Sequence, residues 1–87
     1  MTTDITPSAQ TKEQAAAFIG RPARFNPEHR DNEDDPMIQL IGAAEGQIVD
    51  SYIISGKHAL AVEFLTPWFS GMIRPVAADR FLVKADA

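Results

Sequence analysis

A hairpin signature at the centre of the chain constrains the fold more than any other feature. Gln47 to Ser55 is rich in Ile, Val and Tyr, and Ser55-Gly56-Lys57 follows as a tight turn. His58 to Leu65 then alternates, with Ala59, Ala61, Glu63 and Leu65 on one face and Leu60, Val62 and Phe64 on the other. Two such runs joined by so short a turn pair as antiparallel strands. Further strand candidates flank them: Arg21 to Phe25, where Pro22 suits a sheet edge, Met37 to Ile41, Met72 to Val76 and Arg80 to Lys84. Ala77-Ala78-Asp79 reads as a single 3₁₀ turn before the last of them. The five candidates from Met37 onward, short and joined by tight turns, indicate an all-β fold, a small five-stranded barrel.

The first twenty residues have a different character. Residues 1 to 10 are rich in Thr, Ser and Pro and are expected to be a disordered lead that buries nothing. Thr11-Lys12-Glu13-Gln14 has the form of a capping box, and Ala15, Ala16 and Ala17 propagate a helix. Gly20 can end that helix in a left-handed conformation, and Pro22 forbids its continuation. The helix is about two turns long, too short to stand alone in water, so Phe18 and Ile19 are expected to anchor it. The expected organisation is a flexible tail with a short helix over residues 1–20 and a β-barrel over residues 21–87. Between Asn26 and Pro36 the chain is polar, has no hydrophobic period and reads as a mobile loop.

Composition narrows the function classes. Eighty-seven residues allow one domain with a marginal core, which favours an oligomer. The absence of cysteine excludes a disulfide framework and a thiolate metal site. A net charge of −4 argues against a general nucleic-acid binder. No segment approaches the roughly 18 apolar residues of a membrane span, and Met1 to Gln10 has no signal-peptide pattern. The expectation is a soluble cytoplasmic protein with no membrane contact.

Few residues advertise chemistry. Asp31, Glu33, Asp34 and Asp35 are spaced somewhat like a calcium loop, but the central glycine and the bidentate glutamate are missing, so a solvated loop and no metal site are expected. His29 falls in that loop and His58 at a strand start. The sequence places no Ser, Cys or carboxylate beside either, so no triad can be argued. The adjacent Trp68 and Phe69 either cover the open end of the barrel or form a contact hot spot.

Two segments carry a family resemblance. The first is Gly42-Ala43-Ala44, Gly46-Gln47-Ile48-Val49 and Tyr52. The second is Ala61-Val62-Glu63, Ser70, Ile73 and Pro75-Val76-Ala77-Ala78, followed by Asp79-Arg80. In order and spacing, over roughly Phe25 to Phe81, they resemble the type II dihydrofolate reductases, the plasmid-borne enzymes of trimethoprim resistance. The resemblance implies an SH3-like barrel behind a disordered tail and a homotetramer around a central pore. In that pore NADPH and dihydrofolate meet, so a nucleotide or pterin ligand is implied.

The same resemblance assigns the site residues. The family's pore motif, valine-glutamine-isoleucine-tyrosine, aligns with Gly71-Met72-Ile73-Arg74, an altered motif in which only Ile73 is retained, and this makes Met72 and Ile73 the positions matching the catalytic ones. Ile73, Arg74 and Gln39 become the cofactor-binding positions, Gln39 aligning with the family's pore-mouth lysine. Met72 offers a weak acceptor and no donor, so it cannot orient two rings as a glutamine amide does. A ring of Arg74 side chains would attract phosphates or carboxylates. Apart from the resemblance, ordinary burial preferences place Met72 and Ile73 in the core and Arg74 on a solvated strand. The functional expectation is an oxidoreductase relative that binds its ligand but reduces it poorly. Its alternatives are a non-catalytic SH3-like interaction module and an acidic inhibitor that mimics nucleic acid.

Overall fold

The central hairpin forms as the sequence dictates. A computed structural model describes residues 4–67 and 69–84. Strands Gly46–Ile54 (β3) and Lys57–Leu65 (β4) pair antiparallel around Ser55 and Gly56. Both turn residues have positive φ, 52° and 76°. That conformation matches the twist of the flanking strands and is the reason a glycine stands at the second position. One residue, Val49, is extra in β3, because Ile48 faces Val62 while Asp50 faces Ala61. This bulge turns the Asp50 carboxylate out of the core-facing row occupied by Ile48.

Around the hairpin, Asp4–Ile5 (β1), Pro22–Phe25 (β2), Ser70–Met72 (β5), Val76–Ala77 (β6) and Phe81–Lys84 (β7) complete an antiparallel sheet. Its order is β1-β7-β2-β3-β4-β5, with β6 also on β4. The described residues thus form seven strands, not five, and no pairing among them joins β1 to β5 to close the sheet. The single candidate strand over Met72 to Val76 is split into β5 and β6. Pro75 has no N–H to donate, and Ile73, between the two strands, donates its own to the Val62 carbonyl at 2.8 Å. A 3₁₀ turn at Ala78–Arg80 precedes β7, one residue later than the sequence suggests.

Four further expectations are corrected. First, β2 is not an edge strand, because it pairs with both β3 and β7. Second, residues 4–10 are not a detached lead. Asp4 and Ile5 pair with Lys84 and Val83, Arg24 binds the Asp4 carboxylate at 2.8 Å, and Pro7 and Ala9 are buried. Residues 1–3, like 85–87 and Trp68, lie outside the described residues. Third, the polar segment 26–36 is folded. Arg30–Glu33 (α2) starts where the His29 ring accepts the Asp31 N–H, and Asn32 is 1% exposed. Fourth, Met37 to Ile41 is not a strand but part of a helix, Pro36–Ile41 (α3). Asp35 accepts the N–H groups of Met37 and Ile38, and Pro36 occupies the first turn. A carboxylate cap followed by proline is a helix start, and it outweighs the strand propensity of Ile38 and Ile41.

The capping box at Thr11 does form and opens the helix Lys12–Ala16 (α1): Thr11 accepts the Gln14 N–H at 3.2 Å. Gly20 sits at φ 92° but does not end the helix: α1 is five residues long and stops at Ala16, with Ala17 as its C-cap. The core lies on one face of the sheet. Phe25 stacks on Phe81 with ring centroids 4.6 Å apart and on Phe64 at 5.7 Å. Ile38 and Ile41 of α3 pack into the same cluster with Ile48, Leu60, Val62, Ile73 and Val83. Burying each such side chain is worth about 1.5–3 kcal/mol. Among the described residues, no helix is long and apolar enough to cross a membrane.

Candidate functional site

An apolar groove of about 370 Å³ opens where β5 ends. Met37, Phe69, Met72, Ile73, Arg74 and Val76 line it. Each is placed by local chemistry. The Asp35 cap sets the phase of α3 so that Ile38 and Ile41 enter the core while Met37 and Leu40 remain 41% and 56% exposed. Thr66 holds the Phe69 backbone from both sides: its Oγ1 accepts the Phe69 N–H at 2.9 Å and donates to the Phe69 carbonyl at 2.7 Å. The Phe69 ring meets Phe64 edge-on at 6.5 Å. Strand alternation turns Met72 outward, 61% exposed, and Ile73 inward, 3% exposed. Two flexible thioethers on the rim make a surface that can adapt to apolar groups of different shape.

Three of the four positions singled out in the sequence, Met72, Ile73 and Arg74, therefore share one groove. Ile73 forms its floor as a core residue, and Met72 and Arg74 stand exposed on either side. Gln39 is elsewhere. It lines a second groove of about 300 Å³, with Arg24, Asn26 and Glu33 among its neighbours, and its amide donates to the Asn32 carbonyl at 2.8 Å. Beneath this second groove a polar network is largely used up internally. The Asn32 amide donates to the carbonyls of Asn26 and Arg80 and accepts from the Arg80 guanidinium. Arg80 also reaches the Asp31 carbonyl at 3.0 Å and lies 3.8 Å from Asp35.

The sequence reading missed Met37 as a groove residue, although Asp35-Pro36 was an available helix signal. It did single out Phe69. Phe69 packs against the core and lines the groove.

A pairing that the sequence did not place also appears on the hairpin. Ser51 Oγ and His58 Nε2 are 2.6 Å apart, on diagonal positions of β3 and β4. The Phe18 ring lies 5.3 Å from the imidazole. His58 Nδ1 is buried and without a hydrogen-bond partner among the described residues. Burial holds the imidazole below its ordinary pKa. A nucleophile and a base are thus adjacent, but no group orients Nδ1, and neither groove is lined by them. The pair lacks the third member that poises a serine for attack. On the opposite face of β3, a hydrogen bond to the Asp50 carboxylate raises the Tyr52 phenol above its ordinary pKa. His29 and Asp79 approach at 3.7 Å, yet His29 Nδ1 is engaged as the α2 cap. Among the described residues no cluster of three or more His, Asp or Glu has the placement of a metal site.

Compared with protein-family models, curated proteins and solved structures, the chain matches none of them.

Proposed function

We propose that the chain is a non-catalytic interaction module with SH3-like architecture, and that the groove at the end of β5 holds an apolar segment of a partner. The architecture is supported by the strand order β7-β2-β3-β4-β5, by the long excursion of residues 26–45 between β2 and β3, and by the 3₁₀ turn directly before β7. In that pattern β1 and β6 are additions. Fold alone does not assign function. The observation that carries the reading is the groove itself, where Met37 and Met72 are exposed around a floor of Ile73 and one cation, Arg74, stands at the rim. Concave apolar surface with few polar groups is where partners bind.

The test is selection from a displayed library of random ten-residue peptides. Peptides that bind should shift the NMR signals of Met37, Phe69 and Val76, and Met72→Asp should weaken them about 10-fold or more. Absence of any enriched peptide, or shifts confined to other surfaces, overturns the reading.

A second reading is a pore relative of the type II reductases, and one observation favours it: Met72 and Arg74 are both exposed on the same short segment around Ile73. It requires a tetramer that brings four such segments together. Solution mass and an NADPH titration separate the two readings, since a monomer has no shared pore. In a tetramer that binds NADPH, activity should be very weak. Met72→Gln with Arg74→Tyr should then raise it, because an amide orients the two rings and a thioether does not.

A further inference from the structure

We infer that the partner segment binds as an added β-strand along the free edge of β5, with an acidic residue against Arg74. The inference rests on the groove reading above and names the form of its ligand. β5 is the last strand on its side of the sheet order. Its ladder with β4 fixes which backbone groups are already used. Ile73 donates to the Val62 carbonyl, and the register continues as Phe64 opposite Gly71. In an antiparallel ladder the bonded residues alternate, so Gly71 and Ile73 turn their polar groups to β4. Ser70 and Met72 turn theirs away, where no further strand follows among the described residues.

An open edge of this kind is a template for another chain. Here it adjoins the apolar groove, because Met72 ends β5 and lines the groove together with the next residue, Ile73. A strand laid along Ser70–Met72 completes hydrogen bonds that a helix or a polyproline segment leaves unmade. Its alternate side chains point to one side, where the groove of Met37, Phe69, Ile73 and Val76 receives them.

Charge selects the partner. Among the described residues Arg74 is the one charged residue lining the groove, and no carboxylate pairs with it. Two copies joined through this edge would bring together two grooves of the same charge. The occupant is therefore a separate, extended segment that alternates apolar side chains and carries an Asp or Glu.

The experiment uses the peptides enriched from the random library, synthesised plain and with N-methyl groups at alternate residues. Enriched sequences are expected to alternate apolar positions and to contain an acid. Binding should slow amide exchange at Ser70 and Met72. N-methylation in one register should weaken binding about 5–10-fold per lost bond, and in the other register should change little. Arg74→Glu should weaken the acidic peptides about 10-fold and should not weaken variants in which the acid is replaced by its amide.

If peptides bind through Met72 but show a helical or proline-rich pattern, no protection at Ser70 and Met72 and no response to N-methylation, the edge inference is overturned and the groove reading stands. Self-association that protects the same amides without peptide overturns it in favour of a second copy. If nothing is enriched, both fall.

Discussion

The Arg80 guanidinium donates from Nε to the Oδ1 of Asn32 at 2.9 Å, while the Asn32 amide donates back to the Arg80 carbonyl at 2.9 Å, across 48 positions of sequence. The same amide donates to the Asn26 carbonyl, and Gln39 donates to the Asn32 backbone. One buried side chain thus ties α2 to the turn before β7, and its neighbours carry the tie to α3, which bears the groove residue Met37.

Asn32→Ala should leave the Arg80 Nε without its partner, while the Asn26 and Arg80 carbonyls keep the N–H groups of His29 and Asn26 as donors. A loss of about 1–3 kcal/mol is expected from the stranded Nε and the lost amide bonds, read as the shift in urea unfolding. Met37 should become more mobile by NMR. If Asn32→Ala has wild-type stability, the network is not what orders residues 26–41.

Gly46 stands at the start of β3 where the chain passes under β4. A Cβ there would lie 2.5 Å from the Glu63 carbonyl oxygen and 2.8 Å from Val62. Backbone cannot yield as a flexible side chain does, so Gly46→Ala should cost about 2–3 kcal/mol. Thermal unfolding checks it. Gly56→Ala, with nothing within 4 Å of its Cβ, should cost less, its penalty coming only from the positive φ.

Deleting residues 1–10 removes β1, the Arg24–Asp4 pair, the packing of Ile5 on the core and the cover given by Pro7 and Ala9. The ion pair is about one-third exposed on both sides and is worth at most about 1 kcal/mol. With the apolar burial, the truncated chain should lose about 1–3 kcal/mol. A truncated protein as stable as the full chain would show that β1 contributes nothing.

His58 gives a pH dependence with a definite sign. Burial lowers its pKa in the folded chain below the 6.5 of the free side chain, so the unfolded chain takes up the proton first. Above pH 6.5 both states are neutral and the stability is complete. As pH falls below 6.5 and through the lower folded value, this contribution is lost. The protonated ring would also place a second charged donor, Nδ1, where no described residue accepts it. Melting temperatures followed from about pH 7.5 to 5 should fall more for the wild-type protein than for His58→Gln. Parallel curves for the two would remove His58 as the cause.

Local pattern alone determined a good part of this protein. The Ser55-Gly56 hairpin, the Thr11 cap, the left-handed Gly20, the 3₁₀ turn and the last strand all follow from residues within a few positions of one another, because φ limits, capping bonds and period-two burial act at that range. Met72, Ile73 and Arg74 were singled out only through a family resemblance; that they share a groove follows from their being consecutive. What the sequence misread was decided by partners far along the chain. Residues 4–10 read as a polar lead, yet β7 and Arg24 give them a place. Residues 26–36 read as a mobile loop, yet Arg80 supplies what Asn32 needs. Pro22 suggested an edge, yet β7 returns to pair beyond it. Whether a polar stretch orders, and whether Met37 meets Met72 across a groove, depends on bonds closed between distant segments. Those bonds repay the entropy of ordering only once the whole sheet is assembled.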